Sequence, residues 1–289
     1  MIAGEWTRAR ITHVVAHCLT ESLTVTFRIV CEIEPPTRPD LSRVRHQIGT
    51  LSSITDTFLI PDNHIGRATV SSVAVAHEVE AMGGRSIACL NSRDRNLLGF
   101  QRDLLTAAAY GVDQFLFVYG DKPNAGNRTS DLTVRSMMAE ARAFSWDDNR
   151  RGPAGGTPNL RSFRIGAAAG LRPLPAWKRA ADFLFVQVSY SLEALLRWRE
   201  ANPVDVPVYA GVMVLASHAH ARRLAATLPD IDIPALLIDR LAGDRMAGVD
   251  AACAQVLAIK ESGAFDGVHL VPVSRYRDVE ARLAGTARP

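Results

Sequence analysis

The sequence predicts an α/β fold, a single (β/α)8 TIM barrel. Eight short apolar runs alternate with longer stretches of helical periodicity. The apolar runs are almost continuous, as expected of buried parallel strands. No glycine-rich turn follows the first run, although an open dinucleotide-binding sheet usually has one. The 289 residues suit one large barrel or two domains, and because no boundary stands out we expect one domain over residues 1–289.

The predicted strands and helices alternate through eight units. The strands are predicted at residues 23–33, 57–61, 85–90, 114–119, 162–168, 183–188, 206–212 and 267–271. The helices are predicted at residues 40–51, 68–82, 94–110, 131–144, 175–181, 192–201, 217–228, 247–262 and 276–283. Helically spaced apolar residues predict an N-terminal helical extension over residues 1–22. The glycine- and proline-containing segment 147–160 is predicted to be a mobile loop.

Composition and charge exclude several classes of protein. With 47% hydrophobic and 22% charged residues, the chain is of ordinary globular composition and not disordered. No apolar run reaches the roughly 18 residues that a membrane span needs. The first residues lack the apolar core of a signal peptide, so we expect a cytoplasmic protein. A net charge of +3 without a basic run gives no support for nucleic-acid binding. The four cysteines have no metal-ligand spacing, so no metal site is predicted, and the oligomeric state stays unknown.

Two glutamates at the end of the first strand are the most informative polar residues. Catalytic residues of a barrel collect where strands end and the following loops begin. Glu32 and Glu34 are two positions apart and therefore share one face of the strand. If that face points into the barrel, burial and mutual repulsion favour a protonated carboxyl, which is a general acid. The alternative, equally open, is that they lie on the rim and pair with Arg38 or Lys122.

Two further polar residues suggest a site for a heterocycle. Asp121 follows strand four, where its carboxylate could accept hydrogen bonds from ring N–H or amino groups. The alternative is an ordinary turn residue bonded to its own backbone. Gln187 interrupts an apolar strand, and its amide both donates and accepts, which suits the edge of a pterin or pyrimidine. The alternative is a structural amide that bridges neighbouring strands.

Together these stretches resemble the methylenetetrahydrofolate reductase family, a family of (β/α)8 barrels. The resemblance covers roughly residues 24–283 and rests on the order and spacing of five features. These are Glu32-Ile33-Glu34-Pro35-Pro36 after strand one, Gly120-Asp121-Lys122-Pro123 after strand four, Ser130-Asp131-Leu132 before helix four, Gln187 in strand six, and His269 with Arg275 at strand eight.

The resemblance implies an activity and roles for the matching residues. The family reduces 5,10-methylenetetrahydrofolate to 5-methyltetrahydrofolate, and Glu32 would be its general acid. Asp121 and Gln187 would hold the pterin ring, and the charge of Asp121 would stabilise the 5-iminium cation that accepts hydride. His269, Arg275 and Glu34 would be further substrate contacts.

The departures from the family pattern concentrate where the flavin is usually held. Most members carry FAD, and their strand five ends in Tyr-Pro-Glu-x-His. Here residues 169–173 read Ala-Gly-Leu-Arg-Pro, and the segment before strand six is shortened. We therefore expect a divergent, flavin-independent member, in which NADH or NADPH gives hydride directly to the folate. Asn63, His64, Tyr119 and Gly120 are candidates for the nicotinamide site.

Other interpretations remain open on the sequence. The chain could be an FAD-dependent reductase with substituted flavin contacts, or could use a deazaflavin-type donor. It could also be a folate-binding subunit without activity, or a barrel enzyme that acts on another heterocycle. The sequence does not choose between NADH and NADPH.

Overall fold

The computed structural model describes residues 27–122, 124–147, 160–227 and 231–285. The strands are β1 Arg28–Glu32, β2 Thr57–Ile60, β3 Arg85–Asn91, β4 Gln114–Val118, β5 Ser145–Asp147, β6 Leu160–Ser162, β7 Arg164–Ala169, β8 Phe183–Val188, β9 Val208–Met213 and β10 Gly267–Val271. Eight of them form a closed barrel in the order β1-β10-β9-β8-β7-β4-β3-β2. All neighbours in the barrel are parallel, which confirms the (β/α)8 prediction.

Helices follow the barrel strands and cover the outside of the sheet. They are α1 Ser42–Leu51, α2 Ser72–Ala81, α3 Leu97–Tyr110, α4 Val134–Ala143, α5 Leu192–Ala201, α6 His218–Thr227, α7 Ala235–Gly243, α8 Ala247–Ser262 and α9 Tyr276–Leu283. Short 3-10 helices cover His64–Gly66 and Ala176–Ala180. Within the described ranges, no helix has both the length and the apolar character needed to cross a membrane.

The structure corrects two sequence predictions, adds a helix, and leaves part of the predicted chain outside the described residues. The fifth unit has only the 3-10 helix Ala176–Ala180 where residues 175–181 were predicted as an α-helix. Helix α7 was not predicted. The ends of the predicted mobile loop 147–160 are strand, because β5 pairs antiparallel with β6, and residues 148–159 lie outside the described residues. The predicted N-terminal helical extension, residues 1–22, also lies outside them.

The barrel has two apolar layers because side chains alternate between the faces of each strand. The interior layer consists of Val30, Leu59, Ile87, Cys89, Leu116, Phe183, Phe185 and Tyr209. The outer layer packs between strands and helices and includes Cys31 and Ile33. Glu32 lies two residues after Val30, so it shares the interior face of β1.

Helices α3 and α4 begin at side-chain caps, which fixes the part of the rim that follows β3 and β4. Asn96 begins α3 by accepting a hydrogen bond from the Gly99 N–H, at 2.8 Å. Thr133 and Ser136 form a capping box at the start of α4. Asp131 accepts the Leu97 N–H at 2.6 Å. The loop after β4 is thus tied to the first turn of the preceding helix.

Candidate functional site

The end of β1 carries a carboxyl group that faces a histidine inside the barrel. The Glu32 side chain is 15% exposed, and its Oε2 lies 3.3 Å from Nε2 of His269 on the neighbouring strand β10. The contact has the length of a hydrogen bond but not its direction, since the buried His269 Nε2 has no hydrogen-bond partner among the described residues. The acid and the imidazole therefore keep hydrogen-bonding capacity for a ligand.

Aromatic rings form the floor beneath this pair. The Phe185 ring packs edge-on against the His269 ring, with centroids 5.2 Å apart. The Tyr209 ring stacks on the Phe185 ring, with centroids 5.1 Å apart. These rings belong to the apolar interior layer of the barrel, and such a surface suits a flat heterocycle.

Gln187 enters the mouth of the barrel through a β-bulge. The register between β8 and β9 shifts between Val186 and Val188, around the exposed Gln187. Its Oε1 accepts the N–H of Val188 at 3.1 Å. On β9, a Cβ added to Gly211 would lie 2.6 Å from the Val186 carbonyl oxygen, so the bulge needs glycine there. No hydrogen bond from the Gln187 amide to a neighbouring strand occurs in the described part of the chain, which goes against the bridging alternative.

Behind β2 and β3 lies a buried ionic network centred on Asp62 and Arg95. The Asp62 side chain is 2% exposed. It accepts the Asn91 N–H at 3.0 Å and the Asn91 side-chain amide at 2.7 Å, and it pairs with Arg95 Nη1. Arg95 Nε also donates to Asp103 at 2.8 Å. Burial alone would lower the pKa of Arg95, but the Asp62 and Asp103 carboxylates outweigh it and raise that pKa.

Asp121 joins the loop after β4 to the loop after β2. Its Oδ2 accepts the N–H of Ile65 at 2.8 Å, and among the described residues it has no hydrogen bond to its own turn. Asn63 donates to Asp94 Oδ2 at 2.6 Å. Asn63 (φ 46°) and Ile65 (φ 58°) both have left-handed backbones. His64 lies between them. The hydrogen bonds of Asn63 and Ile65 to neighbouring loops therefore hold residues 63–65 in a strained backbone conformation.

Two arginines that the sequence analysis missed converge on Tyr119. The Arg93 guanidinium lies 4.4 Å above the ring of Tyr119, and Arg128 Nη1 donates to its hydroxyl at 3.2 Å. The Arg93 hydrogen bond and the charge of Arg128 lower the pKa of Tyr119. Next to it, Gly120 has φ 88°, and an added Cβ would lie 2.8 Å from the Asn91 Cβ. Tyr119 is 53% exposed, so this cationic group is open to solvent.

The remaining predicted residues are not part of the Glu32–His269 pair. Arg275 donates from Nε to Asp278 at 2.6 Å and from Nη2 to the Met246 sulfur at 2.9 Å. Glu34 is exposed, and within the described ranges neither glutamate forms an ion pair with Arg38 or Lys122. No cluster of metal-ligating side chains occurs among the residues that were searched, which are those described.

The structure brings together some of the predicted residues and separates others. Glu32 and His269 are in contact, and Gln187 stands on the same face of β8 as Phe185, which packs against His269. Asp121, Asn63, His64, Tyr119 and Gly120 belong to the loops after β2 and β4. Their ligand-binding roles stay predictions. No sequence signal identified Arg93 or Arg128, because both lie in loops without periodicity.

One protein-family model matches part of this chain. The model of the family described as methylenetetrahydrofolate reductase matches residues 177–281, a little over a third of the chain. This part includes Gln187, His269 and Arg275. A search of curated proteins finds no match.

Solved structures share the barrel at low sequence identity. An uncharacterized protein from Clostridium thermocellum, which binds two copies of 5-methyl-5,6,7,8-tetrahydrofolic acid, is 13% identical, with a TM-score of 0.58 over 89% of this chain and 96% of that chain. DmoA from Hyphomicrobium sulfonivorans is 10% identical, with a TM-score of 0.52 over 91% of this chain and 89% of that chain. At these identities the likeness concerns the fold. The chain is thus a (β/α)8 barrel in which residues 177–281 are similar to the methylenetetrahydrofolate reductase family.

Proposed function

We propose that the protein reduces 5,10-methylenetetrahydrofolate to 5-methyltetrahydrofolate with hydride taken directly from NADH or NADPH. The observation that carries the proposal is the Glu32 carboxyl group, which stands inside the barrel 3.3 Å from His269 over an aromatic floor. The family match over residues 177–281 supports a folate as the substrate. The 5-methyltetrahydrofolic acid bound by the Clostridium thermocellum protein supports the same ligand class.

Glu32 supplies the proton that opens the five-membered ring of the substrate. Its carboxyl O–H protonates N10, the bond between the methylene carbon and N10 breaks, and the electron pair stays on N10. The product of this step is a 5-iminium cation. Hydride from C4 of the nicotinamide then adds to the methylene carbon, which leaves 5-methyltetrahydrofolate and the oxidised dinucleotide. Proton donation of this kind typically contributes about 10²–10⁴-fold to the rate.

His269 acts as a positioning residue for Glu32. Its ring is fixed from below by Phe185. Its Nε2 faces Glu32 Oε2, where it can donate to the carboxylate that remains after proton transfer. A neutral imidazole that carries its proton on Nε2 fits this role.

Gln187 holds the pterin ring. The bulge turns its amide toward the mouth, and the Val188 N–H fixes Oε1 while the NH2 group stays available. Asp121 is held by the Ile65 N–H, and its negative charge would stabilise the iminium cation electrostatically. Glu34 and Arg275 contact the substrate outside the Glu32–His269 pair.

The dinucleotide takes the side of the mouth that follows β2 to β4. In the described ranges, neither Arg93 nor Arg128 has a carboxylate partner, and guanidinium groups bind phosphates well. Both converge on the exposed Tyr119, which offers a ring for stacking. Asn63, His64 and Gly120 lie in the same pair of loops and line the proposed nicotinamide site.

The end of β7 does not fit a flavin. Residues 169–174 contribute one polar side chain, Arg172, to the position where the resemblance places the flavin contacts. Lys178, in the 3-10 helix beyond, donates to the Ala168 carbonyl at 2.5 Å and so covers this strand end. An isoalloxazine ring needs hydrogen-bond partners along its edge, so no step of the proposed reaction runs through FAD.

An absorbance spectrum recorded beside an activity assay tests the proposal. The purified protein is expected to show no flavin absorbance and to oxidise NADH or NADPH when 5,10-methylenetetrahydrofolate is added without flavin. Stoichiometric bound FAD, with no turnover after its removal, would contradict the proposal. The same assay with a deazaflavin donor in place of NAD(P)H distinguishes that alternative.

A further inference from the structure

Ile65, in the loop after β2, combines an exposed apolar side chain with an unfavourable backbone conformation. The residue is 57% exposed, and its φ of 58° lies in the left-handed region, which is rare for a β-branched residue. The other described non-glycine residues with positive φ, Asn63 and Val273, are half-buried. Glycine or asparagine would fit such a turn with less strain, so the turn alone does not account for an isoleucine here.

The loop after β4 holds the backbone of Ile65 from both sides. Asp121 Oδ2 accepts the Ile65 N–H at 2.8 Å. Asn124 donates from its side-chain amide to the Ile65 carbonyl at 3.2 Å, and its own N–H donates to the Gly66 carbonyl at 2.9 Å. A strained backbone persists only where neighbouring contacts hold it, and such positions cluster at active sites and ligand clamps.

The loop that carries Ile65 is also tied to the segment that follows Glu32. The Val70 N–H donates to the Pro36 carbonyl at 2.9 Å. Residues 61–70 therefore connect the loop after β1 with the loop after β4, on the side of the mouth where we place the dinucleotide. The proposed reaction puts the Asp121 carboxylate near the iminium cation, so the residue that Asp121 holds would border the reacting atoms.

We infer that Ile65 packs against the nicotinamide ring of the dinucleotide, on the face turned away from the folate, and thereby holds C4 toward the methylene carbon. The inference rests on the proposed function. Contact with an aliphatic side chain removes one face of the ring from water, and the other face stays free for hydride transfer. Because its backbone is fixed, Ile65 gives this contact without losing freedom when the dinucleotide binds.

Ile65→Gly separates the strain of this residue from its contact with the ring. The KM for NADH or NADPH should rise about tenfold, since each CH2 group removed from water contributes about fourfold in affinity. The KM for 5,10-methylenetetrahydrofolate should change little. Glycine adopts the left-handed backbone freely, so the midpoint of urea unfolding should not fall, although glycine also gives the unfolded chain more freedom.

Two further variants serve as controls. Ile65→Val keeps a β-branched apolar side chain at the same position and should have a dinucleotide KM close to that of the unsubstituted protein. Leu105→Ala truncates another exposed aliphatic residue, on α3 outside the barrel. It should change neither KM nor the urea midpoint.

Three outcomes overturn the inference. The first is an unchanged dinucleotide KM in Ile65→Gly. The second is a KM that rises for the folate instead, which would assign Ile65 to the pterin. The third is a urea midpoint that falls together with the activity, because Ile65 would then be a structural residue of the loop.

Equilibrium titration with NADH, followed by nicotinamide fluorescence, gives a readout that needs no turnover. Weaker NADH binding to Ile65→Gly, in a protein that does not reduce the folate, would keep the inference and reject the proposed reaction. Turnover by both proteins with equal NADH affinity would do the reverse. A protein that binds neither NADH nor NADPH would reject both.

Discussion

The two sides of the barrel mouth use their polar residues differently. On the side that follows β2 to β4, the cross-linked side, Asp62, Asn91, Arg95 and Asp121 bond to one another or to neighbouring backbone. On the side formed by β1, β8 and β10, the open side, the His269 Nε2 has no hydrogen-bond partner among the described residues. The cross-linked side also keeps buried polar atoms without such a partner, namely Thr69 Oγ1, Ser92 Oγ and Arg93 Nε. What distinguishes the open side is that its unpaired nitrogen faces a carboxyl group, Glu32 Oε2, at 3.3 Å. The proposed reaction therefore uses the open side for proton transfer, while the bonded residues of the cross-linked side hold the loops in place.

The largest expected effect on the open side is that of Glu32→Gln. The amide fits the same space but supplies no proton of suitable acidity. Turnover should therefore fall about 10²–10⁴-fold, while the affinity for 5-methyltetrahydrofolate stays within a few fold. Steady-state assays and equilibrium binding give the two quantities.

Glu34→Gln is the matched control for Glu32→Gln. Glu34 shares the sequence motif but is exposed, so its substitution should leave both kcat and the pH–rate profile unchanged and should act, as an outer substrate contact, only on KM. A Glu32→Gln protein that turns over normally would reject the general-acid role. If neither protein has activity but both bind folate, the folate-binding subunit is the better interpretation.

On the cross-linked side, Arg95→Ala should destabilise the fold. It leaves the Asp62 carboxylate, with a 2% exposed side chain, as an uncompensated buried charge. Removing one partner of a buried ion pair costs about 3–5 kcal/mol. Urea unfolding monitored by circular dichroism should show this loss in the free energy of unfolding.

Arg102→Ala provides the comparison for Arg95→Ala. The Arg102 side chain is 75% exposed and pairs with the same Asp103, so its removal should change the free energy of unfolding by no more than about 1 kcal/mol. Equal effects of the two substitutions would contradict a structural role for the buried network.

Gly211→Ala tests the bulge that presents Gln187. The new Cβ would lie 2.6 Å from the Val186 carbonyl oxygen and 2.7 Å from the Val188 nitrogen, so β8 and β9 must move apart. We expect a loss of about 1–3 kcal/mol in the free energy of unfolding and weaker binding of 5-methyltetrahydrofolate. Thermal unfolding and a binding titration measure the two effects.

The control for this substitution is Gly49→Ala in α1. An added Cβ there meets no atom within 4 Å, and alanine is favoured over glycine in a helix by about 1 kcal/mol. This variant should gain stability and keep its folate affinity. If Gly211→Ala also keeps its affinity, the bulge does not position Gln187.

The smallest predicted effect concerns His220, in the helix after β9. Burial, and to a lesser extent Arg223, lower the pKa of His220 below its ordinary value of 6.5. The unfolded chain therefore binds a proton more readily than the folded protein does. The contribution of His220 to stability is present above pH 6.5 and is lost as the pH falls through the lower folded pKa.

His220→Asn should flatten this part of the pH dependence. Asparagine does not titrate, and its side-chain oxygen can accept the Ala216 N–H that His220 Nδ1 accepts at 3.3 Å. Unfolding free energies measured between pH 7 and pH 5 should decline less steeply in the variant. An identical decline in both proteins would show that His220 does not contribute.

Elements with continuous apolar runs were predictable from the sequence. Strands β8 and β10 and helices α5, α8 and α9 have the predicted bounds, because their buried residues follow one period without interruption. Helix α7 was missed because Pro234 and the preceding polar residues interrupt the pattern, although Pro234 is its N-cap. The three-residue strands β5 and β6 are too short to show a period.

Within the candidate site, only the residues at the ends of barrel strands could be predicted from the sequence. The interior position of Glu32 follows from the alternation of β1, and its contact with His269 follows from the pairing of β1 with β10. The bulge at Gln187 depends on Gly211 in another strand. The Arg93–Tyr119–Arg128 group and the Asp62–Arg95 pair join residues from different loops, and no local pattern in the sequence connects them.

Transfer of deuterium from NADH labelled at C4 tests direct hydride transfer to the folate most directly. The protein is first shown to be free of flavin, and the transferred hydrogen of NADH is replaced by deuterium. Direct transfer places the deuterium in the methyl group of 5-methyltetrahydrofolate, which mass spectrometry detects. A flavin relay would pass it through a nitrogen that exchanges with solvent. We predict full retention of the label, whereas an unlabelled methyl group, or turnover that begins only when FAD is added, would contradict the proposed reaction.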